Sequence, residues 1–197
     1  MDEYYKIIKG NKIHNTAIIN WDKLKIGKGN IFGPYVVVGT EAQWPGHKSF
    51  GNIEIGNNNI FREFTTIHLP TKKKKLTKIG NNCYLMTKSH LGHDCILENN
   101  VVLSNNVNVA GNTYIMQSSI LGLNSIIHQD QIIGSYTMIG MNSFITNKLK
   151  VIPGYKFYGT PAKKKTKNLL GLKRNKIDNK KLSLENKRFK DLIISDN

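Results

Sequence analysis

Along this chain an aliphatic side chain returns at every sixth position. From Ile79, steps of six give Leu85, Leu91, Leu97, Leu103, Val109, Ile115, Leu121, Ile127, Ile133, Ile139, Ile145 and Val151, thirteen positions without an interruption. The residue four places after each is usually small or β-branched: Cys83, Ser89, Cys95, Val101, Val107, Thr113, Ser119, Ser125, Thr137 and Ser143. Upstream, Ile13 and Ile19, then Ile26, Phe32 and Val38, then Ile55, Phe61 and Ile67 keep the same beat. Breaks near 20–25, 39–54 and 68–78 read as insertions. An amphipathic helix repeats at 3.6 residues and a half-buried strand at 2, so neither explains the pattern. A parallel β-helix of triangular cross-section does: each hexad is a short strand plus a corner, and three hexads close a coil of eighteen residues. Gly and Asn crowd the corners (IGNNN, IGNNC, LENN, LSNN), where turns need positive φ. The fold class predicted is therefore all-β. A β-helix domain covers residues 1–160, and a short basic C-terminal extension, partly helical, covers 161–197. Within the extension, LSLENKRFKDLI (182–193) predicts a short amphipathic helix.

Composition changes this picture little. No uninterrupted apolar run is long enough to span a membrane, and the opening MDEYYKIIKG lacks the apolar core of a secretory signal. Two cysteines, Cys83 and Cys95, make no disulfide framework. A cytoplasmic protein without a transmembrane segment is the expectation. The formal charge of +16 resembles that of a nucleic-acid binder, but the stretch from Pro161 to Asn197 holds 12 Lys/Arg against 4 Asp/Glu, about half the excess. A second cluster is Lys72 to Lys75. The central part lacks the aromatic–basic interleaving that stacks bases, so no nucleic-acid partner is expected. A basic rim that docks an acidic partner is the functional alternative to plain Lys/Asn bias.

Candidate chemistry sits in KSHLGHDCILENN (88–100). Eighteen residues per coil place neighbours about 4.8 Å apart, so His93, Gly111 and Gln129 stack on one outward ladder. His90 and His128 flank core positions and also point outward. A metal site needs further ligands, and no Cys, Asp or Glu shares the His93 ladder, so no metal is expected. Acid–base chemistry fits better: His93 as base, Asp94 orienting it or stabilising its protonated form. Gly111, bare of a side chain, offers its N–H to a developing oxyanion, and the pair suggests acyl transfer.

The hexad run resembles the hexapeptide-repeat transferases, which implies a left-handed β-helix and a homotrimer. FREFTTIHLPT (61–71), LTKIGNNCYLMTKSHLGHDC (76–95), LSNNVNVAGNTYI (103–115) and IIHQD (126–130) resemble the UDP-N-acetylglucosamine O-acyltransferases of lipid A (lipopolysaccharide) biosynthesis. KNLLGLKRNK (167–176) is similar to the segment where that family leaves its β-helix. The resemblance implies His93 as general base, the Gly111 amide at the oxyanion, and His90, His128 and Gln129 as substrate contacts in an inter-subunit cleft. Asn168 and Arg174 fit the family's pattern on the nucleotide side, while Leu170 and Asn175 depart from it. Asn112 stands where the family usually has a histidine. In EAQWPGHKSF, Gln43 and Lys48 are the best matches to the family's sugar-binding pair. Met141 falls where the family sets acyl-channel depth, and it implies a shorter chain than a glycine would admit.

The function expected is transfer of a short or medium acyl group, 3-hydroxy groups included. The group passes from a thioester of acyl carrier protein or coenzyme A to a nucleotide-activated sugar such as UDP-N-acetylglucosamine, by direct attack in a ternary complex. No cofactor is expected. The alternatives are N-acylation or N-acetylation of a nucleotide amino sugar with acyl-CoA, and a catalytically inactive β-helix binding module.

Overall fold

A computed structural model describes residues 2–46, 48–71 and 76–196. The chain winds as a left-handed parallel β-helix. Three parallel sheets form its faces. The first includes Tyr84–Leu85, Val102–Leu103, Ile120–Leu121 and Met138–Ile139; the second His90–Leu91, Asn108–Val109, Ile126–Ile127 and Phe144–Ile145; the third Leu76–Ile79, Ile96–Leu97, Tyr114–Ile115 and Ile132–Ile133. Partner registers such as Leu85↔Leu103, Leu91↔Val109 and Leu97↔Ile115 give the eighteen-residue coil directly.

The thirteen aliphatic positions from Ile79 to Val151 are all at most 1 % exposed, and they form the core with Phe32, Phe61, Ile67 and Phe157. The small residues four places on are buried with them, Cys83 and Cys95 included. Each corner has one left-handed residue, three places after the core aliphatic: Asn82, Lys88, Asp94, Asn100, Asn106, Asn112, Ser118, Asn124, Asp130, Tyr136 and Asn142, with φ between 53° and 59°. Most are Asn or Asp, whose short polar side chains tolerate that region best among residues with a Cβ. The core thus depends on the aliphatic hexads and the corners on this second, polar hexad.

The phase breaks are insertions. Trp21–Lys23 is a turn of 3-10 helix, and the described residues between the strands Val37–Thr40 and Asn52–Ile55, 41–46 and 48–51, are loop. The Lys72–Lys75 cluster lies outside the described residues. An antiparallel pair, Tyr5–Ile8 with Asn11–His14, covers one end of the prism, and Tyr155–Gly159 with Ala162–Lys167 extends the first face at the other. Helix α1 (Leu169–Arg174) and helix α2 (Asn179–Asp196) follow. The helix is longer than the 182–193 segment suggested, because it folds back on the third face instead of standing alone. Glu185 accepts from Gln117 and Ser135, Arg188 pairs with Glu98, and Leu182 packs against Tyr136 and Leu172. Among the described residues no helix is long and apolar enough to cross a membrane.

Truncating one hexad aliphatic opens a cavity in a prism that cannot collapse around it. Leu97→Ala should cost about 2–5 kcal/mol. Lys180→Ala, on the exposed side of α2, should shift stability by less than about 0.5 kcal/mol. Urea unfolding at equal protein concentration checks both.

Candidate active site

The corner that joins the second face to the third carries the candidate chemistry. His93 lies two places after core Leu91, and its half-buried ring has Nδ1 2.8 Å from Asp94 Oδ2. Asp94 is the left-handed residue of that corner, and its φ of 58° turns the side chain inward, where it is 1 % exposed. Its carboxylate accepts from the Thr71 N–H at 3.2 Å and from Thr71 Oγ1 at 2.5 Å, and its own N–H donates to Thr77 Oγ1 at 3.1 Å. A buried carboxylate that accepts two hydrogen bonds from Thr71, on a backbone held by Thr77, has a fixed orientation. It therefore takes the N–H of His93 at Nδ1 and leaves Nε2 as the lone-pair nitrogen. Among the described residues nothing hydrogen-bonds to Nε2.

Gly111, one coil on, lies against the imidazole. A Cβ there would stand 2.4 Å from His93 Cε1 and Nε2 and 2.8 Å from Nδ1. The missing side chain thus makes room for the ring itself as well as for a ligand. The Gly111 N–H donates to no partner among the described residues, whereas the next amide, Asn112 N–H, donates to the His93 carbonyl at 2.8 Å. Imidazole and bare amide are neighbours on one outer corner.

A cleft of about 240 Å³ opens here, lined by Gln43, Trp44, His93, Gly111, Asn112, Gln129 and Asp130. Asn112 is buried. Its Nδ2 donates to Asp130 Oδ1 at 2.5 Å, and its Oδ1 has no hydrogen-bond partner among the described residues. Trp44, from the loop after Val37–Thr40, stacks on His93 with centroids 5.4 Å apart and planes 21° off parallel. That loop is closed at its neck by Ala42 N–H to Ser49 Oγ (2.7 Å) and Ser49 N–H to Glu41 Oε2 (3.0 Å). It is anchored by His68, whose Nδ1 donates to the Glu41 carbonyl at 2.7 Å.

His90 borders this cluster on the second face. Its Nδ1 meets Thr66 Oγ1 at 2.9 Å, and its ring lies 5.0 Å from that of His68. Burial, then the neighbouring His68 and His93, push its pKa down from 6.5 to about 4. Half-buried His128 turns Nδ1 to the Gln129 carbonyl at 3.0 Å.

The other expected residues lie apart from the cleft in a single chain. Exposed Lys48 is in the same loop but does not line it, and exposed Met141 is on the corner between the first and second faces. Arg174 is exposed at the end of α1. Asn168, expected as a substrate contact, is 6 % exposed; its side-chain oxygen accepts from the Gly171 N–H, and its side-chain amide donates to the Tyr136 carbonyl. Its polar atoms are used in folding. Trp44, His68, Thr71 and Asp130 were not singled out from the sequence; Asp130 could have been, since it stands eighteen residues after Asn112 on the corner ladder. No group of three or more potential metal ligands occurs among the described residues. A larger groove of about 850 Å³ on the third face carries none of the expected site residues. Its charges pair with one another, Glu54 lying 3.6 Å from Lys25 and 3.9 Å from Lys78.

Residues 76–111 match the family described as bacterial transferase hexapeptide (six repeats), and with the coil geometry this defines the chain as a hexapeptide-repeat transferase fold. An acyl-(acyl-carrier-protein)–UDP-N-acetylglucosamine O-acyltransferase from Gloeothece citriformis is 34 % identical over 167 residues, 84 % of this chain and 60 % of the relative. Among solved structures, LpxA, a UDP-N-acetylglucosamine acyltransferase from Bacteroides fragilis, superposes with a TM-score of 0.79 at 30 % identity, covering 90 % of this chain and 69 % of that one. LpxA from Acinetobacter baumannii gives 0.66 at 30 % identity, covering 92 % and 81 %. The chain belongs to the UDP-N-acetylglucosamine acyltransferase family. It spans 60 % of the length of the curated Gloeothece relative.

The depressed pKa of His90 has a measurable consequence. Between its ordinary 6.5 and about 4, the folded protein binds fewer protons at His90 than the unfolded chain does. The stability from its neutral ring is whole above 6.5 and is lost as pH falls toward 4. Ring titration by NMR should find His90 neutral at pH values where an exposed histidine is already charged.

Proposed function

We propose that the protein is an acyltransferase that moves an acyl group from acyl carrier protein to a sugar hydroxyl of UDP-N-acetylglucosamine. The observation that supports this most directly is the His93 imidazole, tied at Nδ1 to buried Asp94 and resting against Gly111, whose N–H has no partner among the described residues. An acceptor hydroxyl at Nε2 gives up its proton to His93 as its oxygen attacks the thioester carbon. Asp94 holds the tautomer and stabilises the imidazolium that forms. The carbonyl oxygen, now an oxyanion, takes the Gly111 N–H. Collapse breaks the carbon–sulfur bond, and the imidazolium returns its proton to the leaving thiolate. No covalent acyl-enzyme is needed.

Acyl carrier protein as donor and UDP-N-acetylglucosamine as acceptor are what the relatives' names state. Transfer from acyl-CoA lacks that support. Exposed Lys180, Lys181, Lys187 and Lys190 on α2 supply a basic surface for an acidic carrier. The working unit in this reading is a homotrimer. Two features favour it: a one-chain cleft of about 240 Å³, below the roughly 300–1,000 Å³ of ordinary ligand pockets, and exposed apolar side chains on and beside the second face. Ile18, Ile126, Leu123, Met141 and the stacked Tyr35–Phe64 pair are among them. A neighbouring subunit would bring Met141 to the acyl end of the cleft, where its bulk favours short or medium chains.

Three measurements test this. Mass spectrometry of products from a panel of acyl carriers and nucleotide sugars should show the acylated UDP-sugar; no product from any pair would overturn the reading. His93→Ala should lower turnover at least ~100-fold with oligomeric state unchanged by light scattering, and unaltered turnover would remove His93 from the mechanism. Met141→Gly should shift preference toward longer donors, each added methylene contributing up to about 0.8 kcal/mol; an unchanged chain-length profile would reject the channel role.

A further inference from the structure

We infer that Trp44 is a positioning residue for His93, fixing the plane of the imidazole and screening it from bulk water. The inference rests on the proposed role of His93 as base. One hydrogen bond from Nδ1 to Asp94 pins one edge of the ring but leaves its plane free to tilt about the side-chain torsions. Gly111 gives the ring a surface to lie against, as the 2.4 Å clearance of a hypothetical Cβ shows. The offset-stacked indole of Trp44 supplies a second planar contact, 5.4 Å between centroids. Trp44 is the only aromatic side chain of the cleft besides His93 among the described residues. It is 42 % exposed, so it is not there to fill a core.

The loop that presents it is built. The Glu41–Ser49 and Ala42–Ser49 hydrogen bonds close its neck, His68 anchors the Glu41 carbonyl, and the Phe50 N–H donates to the Pro70 carbonyl at 2.9 Å. A transferase whose base activates its acceptor directly must keep that base from activating water. Water attack on the same thioester would give free acid and thiol in place of acylated sugar. An apolar plate over the imidazole lowers water's access while the Nε2 edge stays open to the cleft.

Trp44→Ala and Trp44→Phe in the full-length chain separate this from other roles. The alanine variant should lose roughly 10- to 100-fold in kcat with both KM values within about twofold, since misplacing a reacting group costs rate and not ground-state binding. Its ratio of thioester hydrolysis to sugar transfer should rise, and phenylalanine should restore most of both. In histidine-labelled protein, the His93 ring protons should show an upfield ring-current shift that disappears in the alanine variant. An acceptor KM that rises while kcat holds would make Trp44 a sugar contact and overturn the inference. So would kinetics and ring resonances indistinguishable from the parent. If the parent transfers no acyl group to any acceptor, the acyl-transfer reading fails, and the ring resonances alone still decide whether Trp44 holds His93.

Discussion

A triangular prism admits one large aliphatic side chain per strand, and that limit governs the rest of this molecule. Two consecutive residues of strand leave space for a single inward Leu, Ile or Val. The chain must then turn sharply, and it does so through one residue of positive φ. Hexads that satisfy both demands stack without adjustment, since each coil meets copies of itself above and below. Strand pairing is then continuous along each face, and the backbone groups that a free edge would expose are satisfied by the next coil. Only the two ends need special treatment, and antiparallel strands supply it at both.

The same repetition builds the site. A left-handed corner residue ordinarily faces solvent as an Asn, but at Asp94 it turns inward and meets Thr71. Its carboxylate, bonded by Thr71, and its backbone N–H, bonded to Thr77, are kept in place beside the histidine immediately before it. One coil on, the ladder position below that histidine is a glycine, so the imidazole lies flat where any other residue would collide with it. A rigid wall thus contributes the imidazole and the bare amide, while an insertion contributes Trp44 and Gln43. This division suits the proposed transfer: the groups assigned to the reaction sit on the coil, and those assigned to selectivity come from a loop that can vary without disturbing it.

The hexad count alone made the prism, its core and the stacking of His93 on Gly111 legible, because each follows from an offset of six or eighteen. Asp94 could be named as partner to His93 by adjacency, but not as a buried group. That depends on Thr71, 23 residues away across an insertion of unreadable register. His68 and Trp44 were missed for the same reason: nothing in a local pattern says where a loop will return. Asn168 is named from its fit to the resembled family's pattern, which says nothing of its local bonding. Its use as a helix cap depends on the chain's turn around Tyr136, which no periodicity encodes. The reach of α2 back along the third face was invisible too, since its contacts, Arg188 with Glu98 and Glu185 with Ser135, are single polar pairs between distant segments.

By itself, then, the sequence determined what repeats: inward positions, corner positions, and which outward residues share a ladder. A constant coil length converts spacing into neighbourhood, so no knowledge of the rest of the chain is required. The tertiary structure alone decided what does not repeat: the burial of Asp94, the indole over His93, the anchoring of its loop by His68, and the docking of the last helix. Those contacts join segments whose separation in the chain bears no fixed relation to their separation in space. They form only once the prism exists as a rigid surface for the insertions and the C-terminal segment to pack against.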